Sequence, residues 1–153
     1  GGGGALDDPG AAAMALPRTP PHIGVYPGEP EAGPLTQYLD SLGKFAHLPA
    51  ETLVLPSHGD PFIGLHTRIA MLHRHHEVRL EALLNALHKP HTVLATLPLL
   101  FKRDVSNHIT LAAGEALAHL HHLMHEGLVV RRINADGIYE FSRSNAVVSE
   151  AAQ

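Results

Sequence analysis

The chain has 153 residues and no cysteine, and it carries a net charge of −4 with histidines neutral; 44% of residues are hydrophobic and 17% charged. That length holds one domain, or a fragment joined to a small domain. The missing thiols exclude disulfides, thiolate zinc sites and a cysteine nucleophile, and the acidic balance argues against a strong nucleic-acid binder, whose affinity comes mainly from neutralising phosphates.

Residues 1–21 read as a disordered or irregular N-terminus. They open with Gly1 to Gly4, pass through an Ala-rich stretch and end in Pro17, Pro20 and Pro21, a composition that buries too little apolar surface to offset its ordering entropy. No basic residue precedes Arg18 and no clean apolar segment follows, so a signal peptide is not expected. No apolar run reaches the roughly 18 residues of a membrane span, and none is expected. With the lack of cysteine, this fits a cytoplasmic protein. Residues 22–34 are a Gly/Pro-rich loop.

Leu35, Tyr38, Leu39, Leu42, Phe45 and Ala46 recur at helical spacing, and Pro49 ends that helix. Thr52-Leu-Val-Leu55 reads as a buried strand, and Pro56-Ser-His-Gly-Asp-Pro-Phe62 as a tight loop at its C-terminal end. A long helix follows over Leu65–Leu87, with the stripe Leu65, Ile69, Leu72, His76, Leu80, Leu83, Leu84 and Leu87. A shorter helix spans Thr92–Phe101, disturbed by Pro98. A third, capped by Ser106 or Asn107, runs to Glu126 with Ile109, Ala113, Ala116, Leu117, Leu120 and Met124 on its core face, and Gly127 ends it. Two strands, Leu128–Ile133 and Ile138–Ser142, flank a turn at Asp136-Gly137. Three helices and a hairpin is the order of a winged helix-turn-helix. Residues 146–153 read as a frayed tail.

The segment Leu53-Val-Leu-Pro-Ser-His-Gly-Asp-Pro61, with the helix carrying His73-Arg-His-His-Glu-Val-Arg79 after it, resembles the end of a metallo-β-lactamase-fold domain. The resemblance is to the branch with a C-terminal winged helix, alongside β-lactamase-like endoribonucleases and glyoxalase-type thioesterases. Glu115-Ala-Leu-Ala-His-Leu120 with Glu126-Gly-Leu128 is similar to the third helix of the appended domain and its exit. Leu16-Pro-Arg-Thr-Pro-Pro-His-Ile-Gly-Val-Tyr-Pro27 is similar to the loop after the bridging metal-ligand aspartate.

The resemblance implies an α+β protein: a metallo-β-lactamase C-terminal fragment over 22–64, then a winged-helix domain over 65–145. It makes His58 a metal-ligand position, with Asp60 as a carboxylate able to orient it. It also implies zinc in the intact family, whose members attack esters, thioesters or RNA with a metal-bound hydroxide. The family's His-x-His-x-Asp-His run is absent from this sequence, and the aspartate position falls by spacing near Ala13. A catalytic zinc needs about three protein ligands, so this chain alone is expected to bind zinc weakly or not at all and to be a truncated or degenerate, catalytically silent family member. Its partner would then be a missing N-terminal hydrolase half or a second copy.

The alternative is an interaction module. Arg131, Arg132 and Arg143 make the hairpin the basic part of the winged helix and could touch RNA or an acidic partner, whereas no Lys or Arg lies between Asn107 and Glu126. The chain has 14 histidines. His73, His75 and His76 read as a helix face rather than a metal site. His121 and His125 have the i, i+4 spacing of zinc-binding helices, but no Glu stands at 122 in the H-E-x-x-H manner.

Overall fold

The computed structural model describes residues 11–13, 21–56 and 59–145. The rest of the irregular N-terminus and the frayed tail expected from the sequence lie outside the described residues. The element order is β1 (Ala11–Ala13), α1 (Pro34–Gly43), β2 (Leu53–Leu55), β3 (Phe62–Ile63), α2 (Leu65–Ala86), α3 (Val93–Leu100), a 3-10 turn at Ser106–His108, α4 (Ile109–His125), β4 (Val129–Ile133) and β5 (Tyr139–Arg143). This is a mixed α/β protein. None of its described helices is long and apolar enough to cross a membrane.

The chain forms two compact units. One comprises residues 1–21 and 39–76, the other 22–38 and 77–153. This differs from a division at 64/65: the loop 22–34 belongs with the C-terminal helices.

In the first unit β1 pairs parallel to β2, Ala11 opposite Leu53 and Ala13 opposite Leu55, and β3 pairs antiparallel to β2 on its other side. Residues 11–13 are therefore a strand, which corrects the irregular reading of that stretch. Three alanines carry no strand signal in side-chain pattern, so the pairing comes from the neighbouring strand. Thr52 and Val54 are fully buried, as are Leu65 and, nearly, Leu72. The Thr52 hydroxyl donates to the Pro49 carbonyl at 2.6 Å, which satisfies a polar group that burial would otherwise penalise.

The second unit has a continuous core of Leu83, Leu87, Leu97, Leu100, Phe101, Ala112, Ala116, Leu120, Leu123, Val129 and Phe141. Phe141 of β5 is 1% exposed. The Thr92 hydroxyl caps α3 by accepting from the Ala95 amide. The hairpin β4–β5 pairs Val129 with Arg143 through Ile133 with Tyr139. One further residue, His91, exchanges two backbone hydrogen bonds with Phe141, at 3.0 and 2.8 Å, and so extends the hairpin by a single bridge.

Helix α4 keeps most of its expected face, with Ala116 and Leu120 in the core and Leu117 and Met124 packed against it. Ala112, Ala116, Leu120 and Leu123 point into the core, while Ile109 is 45% exposed. Gly114, Ala118 and His121 are also buried, so the helix is covered on a second side. The covering element is the loop 22–33 with the start of α1, which tracks along α4 in the same direction. His22 donates to the Leu111 carbonyl, Val25 N–H to Gly114, and His121 Nδ1–H to Ala32; Thr36 Oγ1 shares a hydrogen bond with His122 Nδ1. A helix buried on two sides shows no single apolar stripe, so its periodicity gives one covered side and not the other. Nor does Ser106 or Asn107 cap α4 through a side chain. Instead Asp104 Oδ1 accepts from the Ser106 amide at 2.9 Å, at the start of the 3-10 turn.

Candidate functional site

The segment that the sequence reading takes as a metal position follows β2 in the first unit. β1 and β2 run parallel and side by side, with residue 13 opposite Leu55. Segments leaving the C-terminal ends of neighbouring parallel strands are a usual place for functional groups in α/β layers. Pro56 follows β2 directly. Ser57 and His58 lie outside the described residues, so the expected ligand itself is known by sequence only. Gly59, directly after it, has φ 94°, a left-handed backbone that a side chain would strain. This accounts for glycine in the His-Gly-Asp turn. Asp60, two residues past His58, is exposed. The start of α2 is tied back to this unit by His66, whose Nε2–H donates to the Leu48 carbonyl at 2.6 Å.

Ala13, near which the sequence resemblance leads one to expect a bridging aspartate, brings no donor atom. Among the described residues no group of three or more His, Asp or Glu side chains is placed to hold a metal ion. The donor set of these residues does not fit a dinuclear or catalytic zinc centre, which needs about three protein ligands around each metal.

The abundant histidines have other work. Six of them, His22, His66, His88, His91, His119 and His121, place a ring nitrogen on a main-chain carbonyl. His119 is 1% exposed and its Nδ1–H donates to the Glu115 carbonyl, four residues back along α4. His76 is 2% exposed, consistent with its place on the α2 stripe. His121 and His125 both border a cleft of about 450 Å3, but His121 is buried and clamped to Ala32 whereas His125 is exposed.

The three arginines of the hairpin part company. Arg131 holds both oxygens of Glu31 at 3.2 and 3.0 Å and stacks 4.1 Å from the Tyr139 ring centroid. The Nε–H of Arg143 donates to the Leu84 carbonyl at 2.6 Å, on the last turn of α2. Arg132 alone of the three is exposed. Two of the three expected contact residues thus bind their own chain. The sequence could not show this, because Glu31 and Leu84 are 100 and 59 residues away.

The metallo-β-lactamase-like C-terminal domain family matches residues 80–144. Residues 80–144 carry a metallo-β-lactamase-like C-terminal domain. Two solved structures resemble the chain more widely. A β-lactamase domain protein from Burkholderia ambifaria is 42% identical, with a TM-score of 0.81 over 92% of this chain and 42% of its own. A metallo-β-lactamase family protein from Thermus thermophilus is 32% identical, with a TM-score of 0.69 over 91% of this chain and 44% of its own. No curated protein matches the chain. The chain therefore spans less than half the length of either solved relative, and its likeness to them extends beyond residues 80–144.

Proposed function

We propose that this chain is the C-terminal part of a metal-dependent hydrolase of the metallo-β-lactamase family, silent as a catalyst by itself. The observation that carries the reading is the parallel pairing of β1 with β2. It sets Ala13, near which the resemblance leads one to expect the family's aspartate, beside the strand that leads to His58. In this reading the framework of a metal site is kept there with one donor in place of a full set. His58 is a residual ligand and Asp60 its orienting carboxylate, and zinc, if taken up, is weak and exchangeable. An ester, thioester or phosphodiester would be hydrolysed only in an assembly that brings the other ligands.

The second unit is read as a winged helix. Three helices precede a hairpin, and the His91–Phe141 bridge supplies the single-residue third strand beside it. Its role in this reading is packing, against a hydrolase half or a second copy, rather than reading RNA. The internal engagement of Arg131 and Arg143 favours this, as does the lack of Lys and Arg between Asn107 and Glu126.

The test is zinc titration of the purified chain by calorimetry, with an ester and a phosphodiester reporter assayed in parallel. The reading requires weak zinc uptake that falls further in His58→Ala, and no turnover above free metal. Turnover that disappears in His58→Ala would refute the silent-fragment reading.

A further inference from the structure

We propose that the cavity between the α3–α4 turn and His22 is a binding site for a small organic oxyanion, a phosphate or carboxylate carried on an apolar body. This goes beyond the hydrolase reading and requires no metal. The cavity measures about 370 Å3, the size of sites that take one small molecule rather than a polymer. Its apolar wall is Phe101, Val105 and Leu111.

The charged groups around it sort into spent and available. Asp104 is spent on the Ser106 amide. Glu115, with a side chain only 17% exposed, faces Arg79 Nη1 at 3.9 Å and His22 Nε2 at 3.7 Å. The guanidinium of Arg79 lies 5.3 Å from the Phe101 ring centroid. Asp104 is thus answered by a main-chain donor, and Glu115 is partly balanced by the nearby Arg79 guanidinium. Two lining groups remain, Arg103 and His108, and neither side chain has a hydrogen bond or ion pair among the described residues. A guanidinium fork matches the paired oxygens of a phosphate or carboxylate and binds them more strongly than neutral acceptors. An apolar wall with an unpaired fork at its rim selects a ligand with one anionic end and one apolar end.

The test titrates the full chain with phenyl phosphate, benzoate and phenol, following backbone amide shifts. The proposal requires saturable binding of phenyl phosphate or benzoate, with shifts centred on Val105, Leu111 and Ala112. The tighter of the two anions identifies the headgroup, and phenol binds more weakly than either. Arg103→Gln, whose side chain is at the surface, weakens the anion roughly tenfold by removing a charge-assisted pair; His108→Gln weakens it in the same sense and serves where Arg103→Gln disturbs the fold. Arg132→Gln on the hairpin leaves the affinity unchanged. The proposal is overturned if neither anion saturates, if phenol binds as tightly, if both pocket variants bind like the parent, or if Arg132→Gln weakens binding as much as they do.

Discussion

The amide of Val25 donates to the carbonyl of Gly114 at 2.9 Å, and a Cβ at residue 114 would stand 2.6 Å from the Val25 carbonyl oxygen. Loop and helix meet backbone to backbone, and only glycine leaves room for that. Gly114→Ala is therefore expected to destabilise the second unit despite alanine's better helix propensity. The neighbour is main chain and cannot swing aside, so the overpacking cost is about 1–3 kcal/mol. Thermal unfolding checks it; an unchanged or raised Tm would show that the loop does not sit on the helix.

The arginines of the hairpin give a second contrast. Arg143→Gln removes a donor from the Leu84 carbonyl and is expected to cost about 1–2 kcal/mol. Arg131→Gln loses an ion pair with an exposed glutamate and a ring contact, together about 1 kcal/mol. Arg132→Gln, at the surface, is expected to leave Tm unchanged. Denaturant midpoints of the three variants decide between this and an RNA-binding hairpin. In the latter case the three would alter RNA affinity together and leave stability alone.

Asp104 offers a pH test. Hydrogen bonds from the Ser106 amide and side chain hold its carboxyl below the ordinary 3.8. A carboxyl with a depressed folded-state pKa contributes stability that is fully present above the unfolded value and is lost as pH falls through the folded one. Asp104→Ala should thus lower Tm at neutral pH. The gap between variant and parent should narrow only when pH drops below about 3.8. A gap independent of pH would mean that the charged form of Asp104 plays no part in starting the 3-10 turn.

Much of this molecule was readable from its residues, and the failures have physical causes. The α2 stripe, the Asp136-Gly137 turn and the strand at Leu53–Leu55 are set by local patterns, and they stand where those patterns put them. What was not legible depended on distant partners. β1 is three alanines that become a strand only beside β2. The segment 22–36 lacks periodicity over its loop and finds its place through carbonyls and histidine side chains of α4. Of the candidate site, spacing puts an aspartate position only near Ala13, and the strand pairing sets Ala13 opposite Leu55. His58 could be named but lies outside the described residues. The cavity lined by Arg103 and His108 has no sequence signature, because His22 reaches it from more than 80 residues away, as its bond to Leu111 shows.

The register suggests a gain-of-function variant. If residue 13 stands at the family's aspartate position, Ala13→Asp restores a second donor near His58. Zinc affinity is then expected to rise roughly tenfold or more, since each added charged ligand contributes on the order of a charge-assisted bond. The gain should vanish in the double variant with His58→Ala. Calorimetry with both variants reads it directly; an effect of Ala13→Asp that survives loss of His58 would place the two residues at separate sites.

The first unit is proposed to keep the framework of a metal site with His58 as one donor in place of a full set. Metal analysis of the purified chain after dialysis against zinc, with reporter hydrolysis on the same sample, tests it most directly. Well under one zinc per chain and no turnover are expected. One tightly held zinc per chain, lost together with hydrolysis in His58→Ala, would contradict it.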